Sequence, residues 1–145
     1  MMIRITSAQV PSVWEVVKFA ALEAASVPSE FVPVYCENLL MDLLSGKLQC
    51  YMSKGEDSKI GFVALVEYTH NRMTLAKQLN ISVVYAFSGQ TMETWHKFYQ
   101  DMVALGKKEN CYSIVGESKN PRIMDIMKQL GVQLPAQNYE FVIGG

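Results

Sequence analysis

Apolar positions along the chain change period several times, and each change marks an element. Met2 to Thr6 alternates, with Ile3 and Ile5 on one side, and predicts a short strand. Ser12 and Glu15 stand at capping-box spacing, and Trp14, Val17, Ala21, Leu22 and Ala25 then share a helical face. Val27-Pro28-Ser29 breaks that helix. A second is predicted from Val32-Pro33, because proline is tolerated in a first turn. It turns Val32, Cys36, Leu39, Leu40 and Leu43 inward and stops at Ser45-Gly46.

Leu48 to Ser53 predicts a second strand, and Ile60 to Thr69 a third that is apolar on both faces at its start, as in a central strand. Leu79 to Phe87 is the fourth, with Leu79, Ile81, Val83, Tyr85 and Phe87 on one face. A short Ser-Gly loop leads from it into a long amphipathic helix over 91–106 that presents Met92, Trp95, Tyr99, Met102 and Val103 to a core. Cys111 to Gly116 reads as a fifth strand. Asn120-Pro121 starts a helix whose inner side is Ile123, Met124, Met127 and Leu130, closed by Gly131. Tyr139 to Ile143 is a last strand.

No repeat, low-complexity stretch or linker divides residues 1–145, which predicts a single domain. A chain of 145 residues can bury roughly two-thirds of its unfolded surface without staples. A net charge of −1, with no basic run among aromatics, argues against nucleic acid and anionic lipid as partners. No stretch has signal-peptide or membrane-spanning character, so a cytoplasmic protein is expected. The 3 cysteines and 2 histidines are scattered, which speaks for reduced thiols and against a metal site. The 9 methionines include Met41, Met73 and Met92 as candidates for an adaptable contact surface.

The order β-α-α-β-β-β-α-β-α-β is uncommon. Together with YAFSGQT at 85–91 and ESKNPRIMDIMKQLGV at 117–132, it resembles the GNAT acyl-CoA N-acyltransferase superfamily over essentially the whole chain. Leu130-Gly131-Val132 stands where that family has a Leu-Gly-Phe-type stop. The resemblance implies an α/β domain with a mixed, mostly antiparallel central sheet and helices on both faces. The fourth and fifth strands would be parallel neighbours that splay apart, joined by a right-handed crossover. It also implies acetyl-CoA as cofactor. Its pantetheine arm would lie on Val84, Tyr85, Ala86 and Phe87, its pyrophosphate on Ser88, Gly89, Gln90, Thr91 and Met92, and Asn120 would contact it.

The family's phosphate loop usually reads Arg/Gln-x-x-Gly-x-Gly/Ala; here one glycine remains and the basic residue is gone. Ser88 or Thr91 capping the helix, with Gly89 easing the turn, explains the same residues, and capping alone accounts for Asn120. Acyl transfer needs a base for the amine and a proton for the departing thiolate. By resemblance Glu67 on the third strand is the candidate base, with Asn80 and Ser82 positioning substrate or water; a solvated strand-end charge is the plainer account of Glu67. The family's acidic tyrosine falls on Met127, which cannot donate a proton, and Tyr112 and Tyr139 lie on other strands.

Two functions follow. One is a divergent N-acetyltransferase acting on an amine of a small molecule or a protein. The other is a non-catalytic GNAT-fold interaction or assembly protein, a homodimer or bound to a protein partner. The small size, sparse motifs and Gly-Gly ending are similar to GNAT-like proteins of tailed bacteriophages. In the second case Tyr85, Phe87, Trp95 and Tyr112 are bulky enough to close the gap between the fourth and fifth strands.

Overall fold

The computed structural model describes residues 2–54, 59–87, 89–118, 120–131 and 142–143. Along them run β1 (Met2–Ile5), α1 (Val10–Ala25), α2 (Val32–Ser45), β2 (Gln49–Lys54), β3 (Ile60–His70), β4 (Lys77–Ala86), α3 (Met92–Lys108), β5 (Ser113–Gly116) and α4 (Pro121–Gln129). The strand expected over 139–143 lies mostly outside the described residues. Among those described, the sheet has five strands in chain order, β1-β2-β3-β4-β5. Pairing is antiparallel from β1 to β4 and parallel between β4 and β5.

β3 divides the core. On one face Val63 and Leu65 join Cys50, Met52 and Val83 beneath Val17, Ala20 and Ala21 of α1 and Leu39 and Leu43 of α2. On the other, Phe62, Ala64 and Val66 join Tyr51 and Leu79 beneath Trp95, Phe98 and Met102 of α3 and Ile126 of α4. Helices therefore cover both faces of a mixed, mostly antiparallel sheet, as expected for this α/β domain.

Several local expectations change. The capping box belongs to Thr6 and Gln9: the Thr6 N–H donates to Gln9 Oε1 at 2.8 Å. Ser12 sits inside the first turn of α1, donating its hydroxyl to Gln9 O at 2.7 Å, and Glu15 pairs with Lys18 at 3.1 Å. Pro11 explains the earlier start, since its missing N–H costs nothing in a first turn. In α3 Phe98 joins Trp95 on the inward side, stacked on Phe62 with centroids 5.5 Å apart, while Tyr99 is turned outward. Gly46 ends α2 at φ +82°, a left-handed conformation that glycine adopts without strain.

The thiols differ sharply. Cys50 is buried, and desolvation pushes its pKa from 9.0 up to about 12, whereas Cys36 and Cys111 are half-buried. A maleimide at neutral pH should label Cys36 and Cys111 in the native protein, and Cys50 only after unfolding. Because the folded state holds the Cys50 proton more tightly, its contribution is complete below pH 9 and lost as pH rises towards about 12. Burial raises Tyr68 from 10.0 to about 12 and steepens the upper part of the same window. Denaturant melts across that range should show falling stability, less steep in Cys50→Ala; an equally steep loss in the variant would place the coupling elsewhere.

Candidate functional site

The pairing of β3 with β4 skips one residue. Leu65 faces Val83 and Val66 faces Ile81, so Ser82 is an unpaired extra residue, a β-bulge. A bulge bends its strand, increases local twist and resets which residues face which side. Leu79 and Ile81 consequently face the α3–α4 core, whereas Val83 and Tyr85 face the α1–α2 core, in place of the single face expected for Leu79 to Phe87.

The bulge lies beside the last rung between β4 and β5, which joins Ile81 to Gly116. Beyond it, among the described residues, β4 continues to Ala86 against β3 alone. The Phe87 N–H donates to Gly61 O at 3.0 Å. Alternation along the strand then turns the N–H and C=O of Val84 and Ala86 towards the side that β5 has left. At the vertex, a Cβ on Gly116 would come within 3.1 Å of Ile81 O. The glycine lets the strands meet there before they part.

A cavity of about 360 Å³ opens where they part, in the size range of small-molecule pockets. It is lined by Val84 to Phe87 along the end of β4, by Glu23 and Ala24 of α1, by Gly89 and Gln90 before α3, by Ser118, Asn120, Arg122 and Ile123 around the start of α4, and by the core residues Trp95 and Ile126. Tyr85 and Phe87 make an edge-to-face pair with centroids 4.9 Å apart, and Phe19 stacks on Phe87 at 6.1 Å. These rings line and border the cavity without filling it. Tyr112 takes no part: it lies at the start of β5, 84% exposed, because the parallel register puts that end farthest from the splay.

The start of α3 is held by Thr91, whose Oγ1 accepts the Thr94 N–H at 3.3 Å. Glu93 in the first turn places a carboxylate on the positive end of that helix. Gly89 has no left-handed φ, and a Cβ added to it would meet nothing within 4 Å, so the fold does not require glycine there. Asn120 caps α4, its Oδ1 accepting the Arg122 N–H at 3.0 Å, which leaves Nδ2 as the donor it can offer a ligand.

Glu67 and Asn80 are register partners, with Asn80 Nδ2 donating to Glu67 Oε1 at 3.4 Å. Asn80 pairs in turn with Val115, one rung before the strands diverge. Thus Val84, Tyr85, Ala86, Phe87, Gly89, Gln90 and Asn120 line one cavity, while Glu67, Asn80 and Ser82 gather at its vertex without lining it. Thr91 and Met92, at the start of α3, are not among the lining residues, and Ser88 is outside the described residues. Glu23 and Arg122 escape a reading of the sequence, since only the packing of α1 and α4 beside β4 brings them together. Among the described residues no group of three or more His, Cys, Asp or Glu could hold a metal, and no helix is long and apolar enough to cross a membrane.

No protein-family model matches the chain, and no curated protein matches it in sequence. Solved structures do match it in shape. A probable acetyltransferase superposes with TM-score 0.74 at 9% identity, over 100% of this chain and 99% of the other. A predicted acetyltransferase from Clostridium acetobutylicum, solved with acetyl-CoA, gives 0.68 at 15% identity over 99% and 97%. An aminoglycoside acetyltransferase from an uncultured soil metagenomic sample, in complex with trehalose, gives 0.70 at 10% identity over 99% and 95%.

Proposed function

Starting from the GNAT-like acetyltransferase fold, we propose that this protein is a cytoplasmic enzyme transferring an acetyl group from acetyl-CoA to an amine, on a small molecule or a protein. The observation that carries the reading is the edge of β4 past Ser82, released by β5 and facing a cavity. An extended amide-bearing ligand adds to such an edge as a strand would, and pantetheine has that character. Val84 and Ala86 would hold its amides, with Asn120 Nδ2 across the gap. The fold neighbours are in keeping with this, one having been solved with acetyl-CoA and another being an aminoglycoside acetyltransferase.

Acetyl-CoA would supply the activated thioester carbonyl. In this reading Glu67 takes a proton from the attacking amine, directly or through water, and Asn80 orients its carboxylate. With Met127 unable to donate, protonation of the leaving thiolate falls to water. Acetyl-CoA should raise the melting temperature, since a ligand stabilises the state that binds it, and unrelated nucleotides should not. No shift at millimolar acetyl-CoA would reject the reading.

That null result would favour the non-catalytic alternative, for which there is one specific observation. Phe31, Val34, Met41 and Leu44, on and beside α2, are 46–60% exposed and could be covered by a protein partner. Within the enzyme reading, Gly89→Val should weaken acetyl-CoA binding at least tenfold, about 1.4 kcal/mol. The melting temperature should barely move, since a side chain there meets open space. Equal affinities by calorimetry would put the phosphates elsewhere.

A further inference from the structure

The loop between β4 and α3 has a charge problem. From Phe87 to Met92 it carries no lysine or arginine, and Glu93 follows. A diphosphate brought there would meet backbone N–H groups and a nearby carboxylate. The structure brings a cation to the same cavity from another element. Arg122, in the first turn of α4, lines the same cavity as Gly89 and Gln90 and is the sole positive side chain among the described lining residues. Pro121 fixes the backbone before it, and Asn120 Oδ1 holds its N–H at 3.0 Å, so the stem starts from a set position. The sole carboxylate in that lining, Glu23, comes from α1 on the opposite face of the sheet. The cleft is thus polarised across its width, with its anion-attracting side against α4.

Building on the acetyltransferase reading, we propose that Arg122 grips the phosphate-bearing end of the acyl donor, supplying from α4 the positive charge that the β4–α3 loop lacks. A guanidinium suits the task. Its planar fork meets two phosphate oxygens at once, stays charged at any working pH, and reaches a rim from which its head remains hydrated.

The test is calorimetric binding of acetyl-CoA and of S-acetyl-pantetheine, which has the same thioester arm and no phosphate. Arg122 is exposed, so Arg122→Gln should fold and melt like the wild type. Arg122→Gln should lose at least tenfold in affinity for acetyl-CoA and nothing for S-acetyl-pantetheine. Arg122→Lys, which keeps the charge and loses the fork, should fall between. The wild type's affinity for acetyl-CoA should drop more steeply with salt than that of Arg122→Gln. Unchanged acetyl-CoA binding by Arg122→Gln, or an equal loss for both ligands, would overturn the assignment. If the wild type binds neither ligand, the acetyltransferase reading falls first and takes this inference with it, a result distinct from failure of Arg122 alone.

Discussion

Glu67→Gln is expected to cut turnover on a responsive amine by ~10²-fold or more, the scale on which loss of a general base is felt. The substitution keeps the shape and the hydrogen bond to Asn80 but removes the ability to accept a proton. Its place makes the effect separable from binding. Glu67 lies on the face that carries α1 and α2, paired with Asn80 one rung before β4 and β5 part, and it does not line the cavity. Acetyl-CoA affinity should therefore be unchanged while the chemical step slows. Asn80→Ala should act in the same direction but more weakly, because it loosens the carboxylate without removing it. A Glu67→Gln enzyme with wild-type rates from about pH 6 to 9 would show that the amine loses its proton to another group.

Most of the described elements were legible because each has a local cause. Pro33 in a first turn, Gly46 at a left-handed stop, Thr91 and Asn120 as caps, and the doubly apolar run of β3 all act within a few residues of themselves. The parallel pairing of β4 with β5 was legible through topology, since a strand–helix–strand unit closes in one hand. The bulge was not. From Leu79 to Phe87 the odd positions are all apolar, and although the even ones change from polar Asn80 and Ser82 to apolar Val84 and Ala86, that change does not say that a residue is extra or which one it is. It shows only once β3 supplies a register. The same holds for the walls of the cavity. Glu23 reads as one more exposed position on α1, and Arg122 as a charge in the first turn of α4, until packing sets them on either side of β4. Tyr112 was misplaced for a related reason: adjacency in sequence to β5 does not say which end of β5 meets the cleft.

Deleting Ser82 is expected to abolish donor binding while leaving the protein folded. The register explains why these two effects separate. Ile81 already pairs with Val66 and Val83 with Leu65, so removing the residue between them preserves every rung of β3 with β4 and every face assignment. Val83 and Tyr85 stay towards α1, and Val84 and Ala86 stay towards α3. What disappears is the added twist and bend that an unpaired residue imposes. A regular β4 would run on beside β5 past Ile81 and Gly116, and the released edge at Val84 and Ala86 would be narrowed or paired. Acetyl-CoA affinity should fall at least a hundredfold, about 2.7 kcal/mol, with a melting temperature no lower than that of the wild type. Ser82→Ala is the matched control, because it keeps the residue count and hence the bulge, and its donor affinity should stay close to the wild type. If the deletion variant bound acetyl-CoA as well as the intact chain, the splay would have to come from β5 turning away by itself, with the bulge a bystander. Loss of binding in the deletion alone would make a single inserted backbone unit the cause of the cleft.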